Sequence, residues 1–539
     1  MTNATIANLP VSAGRSVDEP GRGRRDRFAA ICILAITAVG AILAIVSDGV
    51  YMDDDVTHYL IARTAWSRPA LLLDEWGRPG FTIPYAAVAW LGSVHAGFVA
   101  CRLLSVALMG ATAWLTYRAA RHLEVPYPAA APVLLLASPL YFHLSFTTTT
   151  ETIAAFYAIA ATLLLLRGQR WAAAAVLAML PVTRHELIVL LVPVGLYFLW
   201  RRDWVAAMLL AWAEIAWNAL VWAMDLQGPS GQLPIGRYFA TADAGILGYG
   251  APWHFVVRWM AVAGIVGAAL AVLGAGSMIA EARQGGGWRD ALQRMLSHRQ
   301  GRVTLLIIGG AFGLVALHTW LYMVNTHLSG GYARFLIPAA PWTAICAAWG
   351  VSALAKPAAG RRWHVRRVFA AILTIAGAIA LGLGEISLVS GIAIACFTVA
   401  ALAAAIWPWR RAMATCTAIA VIMWTGHWLA LAQPHRLNQD QLLIRQTLAE
   451  LRHTYPDHFI TGSSPWIQYF LDHPVNLPRW YDPLPWEPVN HPVQTLYVYD
   501  QTHGKSYVLE EMAKLPHRLI GHRSHAKTEH YLSIYERLP

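Results

Sequence analysis

Three consecutive carboxylates, Asp53, Asp54 and Asp55, follow closely on an apolar run, AAICILAITAVGAILAIV, in the stretch YMDDDVTHYLIARTAW. Adjacent carboxylates repel, so one of them is partly protonated or stands near a cation. A carboxylate held in place can take the proton of an attacking hydroxyl. In helical geometry Asp54 faces His58 and Asp55 faces Tyr59, with Arg63 one turn further on. That puts acid, imidazole or phenol, and guanidinium on one stripe. The plainer alternative is a solvated helix start, because aspartate in a first turn suits the helix dipole.

Other chemistry-bearing residues flank apolar segments in the same manner. In LLLDEWGRPGFTIPY, Asp74 and Glu75 precede a WGRP turn, and Arg78 is the type of group that holds a phosphate by paired hydrogen bonds. TTTTETIAAF places Glu151 at the head of an apolar segment, and TRHELIVLL sets Arg184, His185 and Glu186 between two others. A charged triplet there needs partners or water. A snorkelling hairpin tip is its alternative. HEL is not a zinc-protease helix, since no second histidine follows at the required spacing. Arg237 lies in a Gly- and Pro-rich segment, and NTHLSGGYARFLIPAAPW carries Tyr332 and Arg334 to the mouth of a further run, where an interfacial anchor is the bland reading.

The elements that must position these groups follow from composition. Of the 539 residues, 57% are hydrophobic and 13% are charged, with mean hydropathy +0.44. Soluble proteins carry about 25% charged residues. The deficit runs through most of the chain, which predicts a polytopic membrane protein. Thirteen spans are expected, at 28–47, 98–117, 126–143, 150–167, 171–183, 187–200, 204–223, 255–279, 304–324, 335–354, 368–383, 386–407 and 412–431. The fifth and sixth are short, and a hairpin that fails to cross there makes eleven. The first run, preceded by Arg22, Arg24, Arg25 and Arg27, has no small-residue cleavage site and reads as an uncleaved span rather than a secretory signal.

Charge fixes the expected orientation. With residues 1–27 as a cytoplasmic tail, 23 of the 41 Lys and Arg fall on the inner segments, and every alternate loop is basic. The net charge of +11 is thereby explained as a topology signal, and a nucleic-acid partner is not expected. The acids and histidines named above, with Arg78, Arg184, Arg237 and Arg334, fall on the other, outer face, in loop 48–97 and at span mouths. Within that loop, DVTHYLIARTAW and IPYAAVAWLGSV read as short interfacial helices.

The membrane domain is expected over 28–432, and at about residue 433 the apolar runs stop. DQLLIRQTLAELRHTY and SYVLEEMAKL have helical period, while HFITG, QTLYVYD, HRLIGH and HYLSIYER have strand character. Residues 433–539 are therefore expected to form a small extracytoplasmic α/β domain, with a Rossmann-like sheet as one reading. No internal repeat is visible. His522, His525 and His530 lack compact metal-site spacing, and no metal site is expected there. The five cysteines all lie in apolar runs, so no disulfide framework is expected. No GxxxxGK[ST] loop occurs, which argues against ATP-driven transport. A secondary transporter or lipid flippase is the competing function. It needs ionisable groups near the bilayer midplane, and Glu214 and Asn218 are the best residues for it.

Taken in order, DDDVTHYLIAR, WGRPGFTIPYAAVAWLG, CRLLSVALMGATAWL, TETIAAFYAIAATLLLL, TRHELIVL and GYARFLIPAAPW resemble the GT-C superfamily of membrane glycosyltransferases over about residues 28 to 350. The similarity is to glycosyltransferase family 39 and RgtA/B/C/D-like members, kin of protein O-mannosyltransferases and lipid A aminoarabinose transferase. It implies a GT-C-like all-α bundle of about thirteen spans in a bacterial inner membrane. It also implies a polyprenyl-phosphate hexose or pentose donor, and inverting transfer to a cell-envelope glycan, lipid or protein at the outer face. Relatives often place Asp-Glu three or four residues before the tyrosine, whereas Asp55 and Val56 precede Tyr59 here. The base role is thus left between Asp54 and Asp55, with Asp53, His58, Tyr59, Arg63, Glu151, His185, Glu186 and Tyr332 as substrate-binding candidates. Arg184, Arg334, Arg78 or Arg237 would meet the leaving phosphate. The residues name no cofactor, and paired aspartates are ligand types for Mg²⁺ or Mn²⁺, so a divalent cation stays open.

Overall fold

The computed structural model describes residues 22–226, 233–239, 250–283, 287–324, 331–355, 426, 428–472, 494–501, 516–524 and 530–538. In chain order the first ten helices are α1 Arg22–Val46, α2 Asp53–Thr64, α3 Pro79–Ala89, α4 Val94–His122, α5 Ala130–Leu136, α6 Pro139–Leu144, α7 Thr150–Arg167, α8 Arg170–Leu177, α9 Ile188–Trp200 and α10 Trp204–Ala223. Further helices run over His254–Ala263, Ile265–Arg283, Trp288–Ser297, Arg299–Met323 and Ala340–Ala355.

Seven of the described helical segments are long and apolar enough to cross a membrane, beginning with Asp26–Val46 and ending with Ala333–Ala355. The chain is a multi-pass membrane protein. Several expected spans are built differently from a single rod. The run at 126–143 is two helices, because Ser138 precedes Pro139, whose ring disfavours helical backbone at the residue before it. The run at 255–279 breaks at Gly264, whose φ of 72° only glycine adopts without strain. α8 stops at Leu177, and α9 is preceded by a 3-10 turn, His185–Leu187. The expected spans 368–383 and 386–407, and most of 412–431, lie outside the described residues.

Helices pack closely where side chains are small. A Cβ on Gly274 would fall 1.7 Å from the Cys346 carbonyl oxygen, and one on Gly350 would fall 2.1 Å from that of Leu270. The helices Ile265–Arg283 and Ala340–Ala355 therefore touch backbone to backbone, as membrane helices do where lipid provides no hydrophobic drive.

One connection positions the site. Asp48 and Gly49 donate their backbone N–H groups to the His435 carbonyl at 3.1 and 3.0 Å. Arg102, buried on α4, donates to Ser47 O at 2.7 Å and to Gly49 O. A guanidinium at that depth needs such acceptors. Together they fix the turn from which α2 starts. α2 then runs through protein, buried from Asp55 to Ala62, with acids in its first turn and Arg63 in its last.

The C-terminal region is α/β. Helices Gln439–Thr454 and Pro465–Leu471 pack with a four-stranded sheet of β1 Phe459–Gly462, β2 Thr495–Asp500, β3 His517–Ser524 and β4 Tyr531–Arg537. The order is β1-β2-β4-β3, with β1 and β2 parallel and the other two pairings antiparallel. The sheet is thus mixed and not the parallel sheet of a Rossmann unit. The four strands lie where alternation places them, whereas Pro465–Leu471 was not expected. SYVLEEMAKL lies outside the described residues.

Candidate active site

The three aspartates have three different environments. Asp53 Oδ1 accepts from Trp466 Nε1 at 2.6 Å and from Gln441 Nε2 at 3.3 Å. Both donors belong to the C-terminal region. Gln441 is set by a capping box with Asn438 at the start of Gln439–Thr454. Asp55 is fully buried. Its Oδ2 accepts the Tyr51 backbone N–H at 3.0 Å, and its own carbonyl accepts from Thr148 Oγ1 at 2.6 Å. Burial pushes its carboxyl up to about 8, so it is a neutral acid at pH 7.

Asp54 lies between them with a quarter of its side chain exposed, and its Oδ2 accepts from Arg334 Nη2 at 2.6 Å. Burial works to raise its carboxyl, but the Arg334 guanidinium, helped by Arg78, holds it below the ordinary range. It is an anion at pH 7. A cavity of about 380 Å³ reaches it, lined by Tyr51, Met52, Asp53, Arg436, Asn438 and Gln441. Of the two carboxylates left open by the sequence, Asp54 is the one both ionised and accessible.

Behind Asp54 is a buried ion network. Arg184 donates from Nε to Glu186 and from Nη1 to Glu151, and reaches Thr150 Oγ1 at 3.3 Å. Arg334 Nε lies 3.6 Å from Glu151 Oε1. Phe335 floors the network, with the Arg184 guanidinium 4.3 Å from its ring centroid. Glu151 lies in the first turn of α7, Arg184 precedes and Glu186 lies within the 3-10 turn before α9, and Arg334 lies on the 3-10 turn Ala333–Ala339. The site is therefore assembled from four separated segments at one end of the bundle.

Arg78 is the cation of this cluster that pairs with no carboxylate within 4.0 Å among the described residues. It donates to Thr183 O at 3.3 Å, and it acts electrostatically on Asp54, His58 and Glu186. Its φ of 62° is unusual for a residue with a Cβ. Asp74 holds that turn, its Oδ1 accepting from the backbone N–H of Trp76 at 2.9 Å and of Gly77 at 2.7 Å. His58, buried against Phe81 and stacked on Trp76, is pushed down to about 4 by burial, against the pull of Asp54. It is neutral imidazole.

Not every expected site residue joins the cluster. Tyr59 donates to Val94 O, and Arg63 donates to Ala89 O and Gly92 O at 3.0 Å each, 3.6 Å from Asp472. Both hold the corner between α3 and α4. The stripe of i,i+4 neighbours therefore separates, because α2 is buried on all sides and each face meets a different partner. His185 stacks on Trp217 at 5.7 Å. Tyr332 is half-exposed with the Arg334 guanidinium 5.4 Å from its ring. Arg237 falls on the 3-10 turn Pro234–Phe239. Glu214 Oε1 and its carbonyl accept from Asn218 Nδ2 at 3.0 and 2.8 Å, and Asn218 Oδ1 accepts the Ile235 N–H. This pair braces that turn, a use that leaves little for ion coupling.

His318, Phe335, Trp466 and Gln441 were not singled out from sequence. His318 was the findable one, a lone imidazole within the apolar run LVALHTWLY; it is fully buried beside Phe335. Among the described residues no three His, Cys, Asp or Glu side chains are grouped so as to hold a metal ion. His530 lies 3.6 Å from Asp500, His522 meets Ser533 at 3.0 Å, and His525 lies outside the described residues.

No family model matches the chain, and no curated protein matches it in sequence. Its fold is similar to that of ArnT from Cupriavidus metallidurans. Against ArnT bound to undecaprenyl phosphate, the TM-score is 0.56 at 13% identity, covering 94% of this chain and 98% of that one. Against apo ArnT it is 0.57 at 13% identity, covering 95% and 98%.

Proposed function

We propose that this chain, with the fold of the GT-C membrane glycosyltransferases and an ionised carboxylate at the mouth of its bundle, is itself a glycosyltransferase. The donor is a sugar, hexose or pentose, carried on a polyprenyl phosphate. The acceptor is a hydroxyl of a cell-envelope glycan, lipid or protein. The observation that carries this reading is one charge cluster holding both an accessible anionic Asp54 and Arg78, which has no carboxylate within 4.0 Å among the described residues.

Asp54 takes the proton of the acceptor hydroxyl as its oxygen attacks the anomeric carbon from the face opposite the phosphate. The anomeric C–O bond to phosphate breaks, and polyprenyl phosphate leaves with the bonding pair. The configuration inverts. The leaving group needs positive charge rather than a proton, and donors aimed at developing charge lower the barrier. Arg184 and Arg334 are largely neutralised by Glu151, Glu186 and Asp54. Arg78 is therefore the guanidinium best able to meet the phosphate. Glu151, Arg184 and Glu186 hold Arg334, which keeps Asp54 ionised. Asp55 stays neutral and sets the turn before α2, and His58 walls the site.

The alternation of basic segments supports a bacterial inner-membrane protein of about thirteen spans, with residues 1–27 cytoplasmic, 28–432 in the membrane and 433–539 outside. The bonds from Trp466 and Gln441 to Asp53 favour the C-terminal domain as one wall of the acceptor entry. The test is release of polyprenyl phosphate by the purified full chain from a panel of polyprenyl-phosphate sugars, with a cell-envelope extract as acceptor. Turnover of at least one donor, dependent on the extract, supports the reading. No turnover, with sugar or lipid transported across a proteoliposome membrane instead, rejects it in favour of a transporter.

A further inference from the structure

A second, larger cavity, of about 700 Å³, runs between α9 and the helix Arg299–Met323. Its walls are apolar and include Val189, Pro193, Tyr197, Leu305 and Leu306. Gly309 and Gly313 also line it, and a Cβ on either would meet nothing within 4 Å. The groove is long and open along that face. One end of it is cationic, formed by Arg170, Arg201, Arg299 and Arg302.

Those four arginines are not alike. Arg170 pairs with Asp203 at 2.7 Å, and Arg302 donates to Leu296 O and Ser297 O at 2.7 and 3.1 Å. Arg201 and Arg299 are exposed, and neither has a carboxylate partner among the described residues. Arg299 also opens the 25-residue helix Arg299–Met323, whose first-turn N–H groups favour an anion. It is the cationic end that is far from the candidate active site. Glu151 and Arg167 stand at opposite ends of α7, sixteen residues apart, which is about 24 Å at the helical rise.

We propose that this cavity binds an anionic membrane phospholipid, its phosphate between Arg201 and Arg299 and one acyl chain along the groove. The shape suits a chain entering from the bilayer, and the charge suits only an anionic head. An acyl chain leaving lipid for an apolar groove gains little by hydrophobicity, because lipid tails are as apolar as the groove. Discrimination must come from the headgroup, where each arginine near a membrane surface counts about fivefold in affinity. The site is expected to select by charge and hardly by chain.

The test is titration of the full chain in detergent with phosphatidylglycerol and with phosphatidylcholine, read as bound lipid by native mass spectrometry. The wild type is expected to bind phosphatidylglycerol at least tenfold more tightly. R201Q/R299Q is expected to lose that preference, with R201Q and R299Q each losing several-fold. G309L/G313L, which fills the groove and keeps both arginines, is expected to reduce occupancy by either lipid. Equal affinity for the two lipids in the wild type, or unchanged preference in R201Q/R299Q, overturns the proposal. So does full displacement of phosphatidylglycerol by polyprenyl phosphate, which would assign the groove to the donor lipid.

Discussion

Asp54 and Arg334, separated by 280 positions in the chain, meet at 2.6 Å in a site with only a quarter of the carboxylate exposed. The contact does two things. It keeps a largely buried aspartate ionised, and it joins the short helix after the first span to the mouth of the last described one. The proposed base therefore depends on a guanidinium far away in sequence.

Replacing Arg334 by methionine removes the largest force that lowers the Asp54 carboxyl, leaving burial to raise it. The acid limb of the kcat/KM profile is expected to move to higher pH, and activity at neutral pH to fall. R334K keeps a charge but not the planar fork, so it should shift the limb less. An unmoved limb in R334M would separate Arg334 from the base.

Arg78→Gln removes the guanidinium proposed to meet the leaving phosphate. Charge-assisted hydrogen bonds contribute about 1.5–3 kcal/mol, so kcat/KM is expected to fall roughly 10- to 100-fold. R78K should recover part of the loss. Steady-state kinetics at several donor concentrations checks both, and wild-type rates in R78Q would remove Arg78 from the site.

Glu151→Gln breaks a buried ion network while leaving Arg184 and Arg334 in place. Removing one partner of a buried pair costs about 3–5 kcal/mol. The expected outcome is a lower unfolding temperature in detergent, together with lost activity. A variant as stable as the wild type would mean that water or lipid already screens the network.

Asp55→Asn should act on stability and not on chemistry. The native carboxyl titrates at about 8 and the unfolded one near 3.8, so between those values the native state holds a proton that the unfolded state has released. Stability therefore falls as pH rises through that window and levels off above it. Asparagine does not titrate and can still accept from the Tyr51 N–H. D55N should flatten the pH dependence and raise stability at pH 7 by on the order of a few kcal/mol. Thermal unfolding at pH 5, 7 and 9 reads this, and parallel curves for wild type and D55N would contradict it.

Much of the site was legible from residue types and sidedness. Asp54, Arg78, Glu151, Arg184, Glu186 and Arg334 come from five segments, yet each stood out as a charge beside an apolar run. The separate fates of three adjacent aspartates were not legible. Asp53 answers to Trp466, 413 positions away, and Asp55 to the turn before its own helix. Helical spacing grouped Tyr59 and Arg63 with the site because an i,i+4 rule assumes one functional face, and α2 has partners all round. The breaks after Ser138 and at Gly264 did have signals, a proline and a glycine, that hydropathy alone overrides.

The most direct measurement is the rate of polyprenyl-phosphate release from a labelled lipid-linked sugar by D54N and D55N, side by side with the wild type. General-base catalysis contributes about 10²- to 10⁴-fold. D54N is expected to lose at least a hundredfold while remaining folded, and D55N to retain most of the wild-type rate. Wild-type turnover by D54N would contradict the account.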